Sequence, residues 1–229
     1  MIVEAALGAT VAGAVVHGAL YPNSPFFGRV IASVPATGNA LALTFDDGPN
    51  PQATPAILDA LKERGIKASF FILGRHAERW PALVRRVAEE GHAVGNHGYY
   101  HRKLHLKPPS YVRRDLELGT AAIVHACGVR PKFFRAPHGF RSPWVTAIAR
   151  SLGQRTVGWT RGVWDSNRPG AEVIAGRAIR AARPGAILLL HDGDGYDEAG
   201  DRMQTARAVP RIIDAVQRAG LHFVTLDAA

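Results

Sequence analysis

The chain has 229 residues, 47% hydrophobic and 21% charged, with a mean hydropathy near zero. That suits one α/β unit with a substantial core and excludes a multi-span membrane protein. Lys and Arg total 28 against 19 acidic residues, and the net charge of +9 favours anionic surroundings. The basic residues are dispersed, as on solvated helix faces (Arg85 and Arg86, Arg113 and Arg114, Arg207 and Arg211). No nucleic-acid-binding motif accompanies them, so no nucleic-acid partner is expected. The single cysteine, Cys127, excludes an intrachain disulfide and leaves both redox compartments open.

Residues 5–20 form an uncharged stretch rich in Ala, Gly and Val that includes His17. It is short for a spanning helix, which needs about 20 apolar residues. No Lys or Arg precedes Arg29, which argues against the basic start of a secretory signal. The expectation is a membrane-associated segment, with a weak signal or a helix packed on the domain as the alternatives. This places the protein in the cell envelope, anchored or exported, with the cytoplasm still open. The turn-rich Tyr21-Pro22-Asn23-Ser24-Pro25 follows, dividing the chain into an N-terminal segment and connector, 1–35, and one domain, 36–229.

From there short apolar runs alternate with helical stretches. Ala40–Phe45, Ala68–Leu73, His92–Asn96, Lys132–Arg135, Arg155–Trp159, Ala186–His191 and His222–Leu226 read as buried strands. Thr54-Pro55 is the N-cap and first-turn proline of a helix whose Ile57, Leu58 and Leu61 share a face; Ser142-Pro143 repeats the device. Gly65, Gly91, Gly128, Gly153 and Gly220 stand where left-handed caps end helices. Strands separated by helices imply parallel pairing with right-handed crossovers. Seven such units predict a single-domain α/β fold, a distorted or incomplete (β/α)7-type barrel with its chemistry at the C-terminal strand ends. Polar residues interrupt the pattern there: Asp46 and Asp47, His97, Arg135, Asp165 and His191.

Thr44-Phe45-Asp46-Asp47-Gly48-Pro49 puts two adjacent carboxylates at a strand end, where a cation relieves their repulsion; the same residues also suit a β-turn. Asn96-His97-Gly98-Tyr99-Tyr100-His101 spaces two histidines four apart, close enough to converge on one metal ion. His105 continues the spacing, but Pro108 and Pro109 favour a loop and a bystander. Two imidazoles and one carboxylate leave coordination positions open, as a catalytic metal requires. Arg135, ending an apolar run, needs a carboxylate partner. His191, ending Ile187–Leu190, reads on its own more readily as a satisfied core histidine.

In order, Thr-Phe-Asp-Asp-Gly-Pro, His-x-x-x-His, Arg-x-Pro-His-Gly and Leu-x-His resemble the motifs of the polysaccharide deacetylases, carbohydrate esterase family 4, which share the NodB-homology domain. The resemblance runs from about Ala40 to the C-terminus. It implies one divalent metal ion on Asp47, His97 and His101, zinc first and cobalt, manganese or nickel next. It further implies Asp46 as general base oriented by Arg135, and His191 as general acid tuned by Asp165. Leu189 would line a pocket for the acetyl methyl group, and the His138 N–H would face the oxyanion. Two positions depart from the family pattern: Gly98 stands where Ser or Thr usually follows the first metal histidine, and Trp164-Asp165-Ser166 stands where Asp-Trp is usual. The expected function is hydrolysis of N-acetyl or O-acetyl groups on a polysaccharide or oligosaccharide. The alternative is a catalytically weak glycan-binding protein that keeps the metal site. An iron oxygenase shares the ligand set but not the alternation of strands and helices. Which glycan is bound, and the oligomeric state, are not legible.

Overall fold

The structure, a computed structural model, describes residues 13–228. Its strands are β1 (Ala40–Gly48), β2 (Ser69–Ile72), β3 (Ala93–Asn96), β4 (Phe133–Phe134), β5 (Arg155–Thr156), β6 (Arg161–Gly162), β7 (Ile187–His191) and β8 (His222–Val224). They form one sheet in the order β5-β4-β3-β2-β1-β7-β6, with β8 pairing the start of β1. Every pairing is parallel. The sheet curls into a half-barrel, consistent with the expected distorted (β/α)7 barrel.

Helices α2 (Ala53–Glu63), α3 (Gly74–Arg79), α4 (Pro81–Glu89), α5 (Pro109–Cys127), α6 (Pro143–Ser151), α7 (Ala171–Ala181) and α8 (Met203–Arg218) cover its outer face, and α1 (residues 13–20) precedes the sheet. The two-residue period of a strand explains the layering. From β1, Leu41, Leu43 and Phe45 pack with Ile57, Leu58, Leu61 and Ile212 in the core beneath the helices. Ala42 faces the other way, into a cluster with Phe71, Phe133, Val157 and Ile187. Thr44 and Asp46 continue that inner row, so the half-barrel's interior turns from apolar to polar toward the C-terminal end of the strand.

All seven expected runs contain strands, mostly shorter than the runs themselves. β6 was not foreseen, because two residues, one of them a glycine, carry no periodic signal. Ile57, Leu58 and Leu61 are fully buried, as their shared face requires. Gly65, Gly91, Gly128, Gly153 and Gly220 all adopt positive φ. The expected cap at Thr54 is corrected. The helix begins at Ala53, and Asn50 Oδ1 accepts the N–H groups of Gln52 and Ala53. Thr54 Oγ1 instead accepts the Asn50 N–H and donates to Asp192 at 2.5 Å, because a buried carboxylate behind the strand ends captures the hydroxyl. Ser142 keeps its N-cap position without a side-chain cap bond.

Of the apolar stretch 5–20, residues 5–12 lie outside the described residues. Residues 13–20 form α1, which meets the domain where the Arg141 N–H donates to Ala19 O at 3.0 Å. Among the described residues no helix is long and apolar enough to cross a membrane.

Candidate active site

β1 ends in a bulge between Asp46 and Gly48, where the register against β2 shifts. The bulge turns two successive carboxylates toward the interior instead of one. Asp47 takes φ +71°. Its Oδ1 lies 3.3 Å from His97 Nε2 and 3.1 Å from His101 Nε2. His97 follows β3 directly, and its Nδ1–H donates to Arg135 O at 2.8 Å. That bond fixes the tautomer and leaves Nε2 with a lone pair facing a carboxylate oxygen. Asp47 Oδ1 is buried without a hydrogen bond of its own. Buried acceptors that face one another without donors call for a positive charge between them. Asp47, His97 and His101 are all buried, with ligand atoms within 4.8 Å of one another, and fit a single metal ion. With protons in place of a metal, burial opposes the charge on both partners. The two histidines nevertheless hold the Asp47 carboxyl well below its ordinary range, and Asp46 and Asp47 raise His97. His105 takes no part: its ring packs edge-on against Phe140, 5.0 Å between centroids.

Asp46 meets the arginine that directly follows β4. Arg135 Nη1 donates to Asp46 Oδ1 at 2.6 Å and to Thr44 Oγ1 at 2.9 Å, and Nη2 donates to Gly158 O at 2.8 Å. The guanidinium is fully buried and rests over the Phe71 ring, 4.0 Å from its centroid. Thr44 and Asp46 are two residues apart on one face of β1, which is why one fork reaches both. The other Asp46 oxygen stands 3.8 Å from His97 Nε2.

His191 is the register partner of Asp46 on the neighbouring strand β7. Its Nδ1 is 2.8 Å from Asp165 Oδ1, and its backbone N–H donates to Asp165 Oδ2 at 2.8 Å. Thr205 Oγ1 also donates to Asp165 Oδ2. Three donors, one on an imidazole, keep the buried Asp165 carboxyl below its ordinary range although burial pushes the other way. Burial likewise disfavours the His191 charge, but Asp165, then Asp47 and Asp46, outweigh it and raise the imidazole to about 9. His191 is therefore no plain core histidine, and the displaced Asp165 still finds it.

Asp46, Asp47, His97, His101 and His191 line a cleft of about 750 Å³ together with Leu189, His138, Trp159, Trp164, Ser166 and Tyr196. Backbone strain gathers here. Asp47, His101, His138 and Trp164 all hold φ between +56° and +71°, a region costing a non-glycine residue roughly 1–3 kcal/mol. The His138 ring meets Tyr196, with 3.0 Å between Oη and Nε2. Trp164 is 67% exposed at the mouth.

Other supporting residues escaped the sequence reading. His76, fully buried on α3, has its Nδ1 2.7 Å from Asp47 O, so it pins the strained ligand from behind. Asp115 on α5 accepts the N–H groups of Tyr99 and Tyr100 at 3.0 and 3.2 Å and steadies the loop between the two metal-facing histidines. It also explains Gly98: at φ +80°, a Cβ there would stand 2.5 Å from Asp115 Oδ2. Arg202 donates to Gly193 O and Asp194 and holds the loop that carries Tyr196. The partners of His76 and Asp115 are backbone groups distant in sequence, so no spacing betrays them.

The family model for polysaccharide deacetylases matches residues 33–157. The chain is 40% identical over 185 residues to a chitooligosaccharide deacetylase of Bradyrhizobium sp. (strain ANU 289), covering 78% of this chain and 84% of that one. Against a peptidoglycan-N-acetylglucosamine deacetylase of Bacillus cereus it is 34% identical over 202 residues, covering 87% and 92%. A crystal structure of a peptidoglycan N-acetylglucosamine deacetylase in complex with 4-naphthalen-1-yl-N-oxidanyl-benzamide aligns with a TM-score of 0.79 at 32% identity, covering 86% and 90%. The chain belongs to the polysaccharide deacetylase family, carbohydrate esterase family 4.

Proposed function

We propose that the protein is a metal-dependent hydrolase that removes N-acetyl groups from N-acetylglucosamine units of an oligosaccharide or polysaccharide, with O-acetyl groups as the alternative. The observation that carries this reading is the pairing across one cleft. Asp46, held by Arg135, and His191, held by Asp165, flank the Asp47–His97–His101 cluster. The names of the relatives, which specify chitooligosaccharide and peptidoglycan, support the substrate class and a cell-envelope site of action.

Asp47, His97 and His101 are the ligands assigned to a divalent ion, zinc first, with cobalt, manganese or nickel next for an open nitrogen–oxygen set. When bound, the ion supplies Lewis acidity, lowering the pKa of water and polarising the acetyl carbonyl. Asp46 takes a proton from the attacking water as the oxygen bonds to the carbonyl carbon. Arg135 keeps that carboxylate aimed. The developing oxyanion faces the His138 N–H, a kind of donor worth about 3–4 kcal/mol when removed. His191 then gives its proton to the nitrogen as the carbon–nitrogen bond breaks, and acetate and an amine leave. Leu189 receives the methyl group. The proton on Asp46 returns to His191 by way of solvent.

Asp46→Asn tests the base. It keeps the fold, judged by circular dichroism, and lowers acetate release from N-acetylglucosamine oligosaccharides by roughly a hundred-fold or more. Full turnover in that variant would remove Asp46 from the reaction.

A further inference from the structure

Leu20 and Pro22 line the same cleft as Asp46, His97 and His191, yet they precede residue 33, where the family match begins. Their segment is firmly seated. Asn23 Nδ2 donates to Trp159 O at 2.8 Å, and the Trp159 N–H returns a bond to Asn23 Oδ1 at 3.2 Å. Buried Arg141 donates from Nη2 to Ser24 O at 2.7 Å and Tyr21 O at 3.3 Å, and from its N–H to Ala19 O.

Two glycines make room for the approach. A Cβ on Gly158 would collide with Asn23 Oδ1, and one on Gly139 would stand 2.8 Å from Pro22 Cγ. Both belong to the catalytic framework: Gly158 O accepts from Arg135, and Gly139 follows His138. The loops that position the reacting groups therefore also hold this segment.

The wall it builds is apolar and partly open. Leu20 is 49% exposed, and its neighbours in the cleft include Phe140 and Trp159. A cleft of about 750 Å³ also holds far more than an acetyl group. Apolar surface beside a polar reaction centre suits the flat, carbon-bearing face of a sugar ring.

We propose that residues 19–24 are a substrate-binding wall. Leu20 and Pro22 carry the apolar face of a sugar unit adjoining the one that is deacetylated, so the enzyme favours oligomers over single sugars. The proposal rests on the deacetylase reading for the identity of the glycan.

The test compares wild type, Leu20→Ala and Asn23→Ala with two acetylated substrates, the N-acetylglucosamine tetramer and the monomer, and with the fully de-N-acetylated tetramer in isothermal titration. Leu20→Ala is expected to weaken tetramer binding and raise the tetramer KM by about five-fold, with kcat within about two-fold and a smaller change for the monomer. Asn23→Ala, which unfastens the wall without touching its apolar face, shifts the same quantities in the same direction and serves if Leu20→Ala does not fold. Equal losses on monomer and tetramer, or no change on either, would overturn the proposal. If wild type released no acetate while Leu20→Ala still weakened tetramer binding, the deacetylase reading would fail and the wall would stand.

Discussion

Arg135 Nη1 lies 2.6 Å from Asp46 Oδ1 with both side chains buried, so neither charge has water to fall back on. Burial works against the guanidinium's charge and lowers its pKa, and Asp46 offsets only part of that cost. Arg135→Leu strands the Asp46 charge and is expected to cost about 3–5 kcal/mol in urea unfolding. Arg135→Lys keeps a charge but loses the fork to Thr44 and Gly158, and falls between the two in both stability and turnover. Unfolding curves that coincide for all three proteins would show that the pair does not hold this end of the barrel.

The His191–Asp165 pair sets a pH limit. An imidazole raised to about 9 carries its proton below that value, so the general acid is available at neutral pH and lost as pH rises through it. A cation in the site offsets the contributions of Asp47 and Asp46, which leaves Asp165 as the main one that raises the value. Asp165→Asn therefore moves the alkaline limb of kcat/KM to lower pH and reduces kcat by roughly 10²–10⁴. The profile across the alkaline range checks this, and an unmoved limb would remove Asp165 from its role.

Much of this site was legible because strand ends punctuate apolar runs. Asp46, Asp47, His97, Arg135 and His191 each interrupt or end a hydrophobic stretch, and parallel pairing brings such ends to one side. The register partnership of Asp46 with His191 was not legible, since strand order is set by crossovers that no local pattern encodes. Thr54 was misread for a related reason: its hydroxyl is claimed by Asp192, 138 residues away. Within the apolar stretch before the domain, the described residues 13–20 form α1 and lead into a chain that packs beside the cleft, a placement that composition does not encode.

Gly98 gives a prediction against the family habit. Serine there would need φ near +80° and would press its Cβ on a carboxylate that two backbone N–H groups hold in place. Gly98→Ser is expected to lose about 1–3 kcal/mol and to retain less zinc after dialysis, since His97 and His101 flank the strained turn. Unchanged stability and zinc content would show that Asp115 yields easily.

His92 makes folding pH-dependent. Burial, then Lys67, outweighs Glu90 and lowers its imidazole to about 4, while its Nδ1 accepts the Ala68 N–H at 3.1 Å. Between the ordinary value of 6.5 and about 4, the unfolded chain takes up a proton that the folded one refuses. Stability therefore falls as pH drops through that window. His92→Asn, which retains an acceptor, is expected to narrow the difference in urea midpoint between neutral pH and the lower end of the window; an equal difference in both proteins would exclude His92 as a source.

The most direct measurement is acetate release from an N-acetylglucosamine oligosaccharide by protein stripped with a chelator and then reloaded with zinc, cobalt, manganese or nickel. Stripping is expected to abolish release and about one equivalent of a suitable ion to restore it, with His97→Ala unable to recover. Release that persists unchanged in the stripped protein would contradict metal dependence.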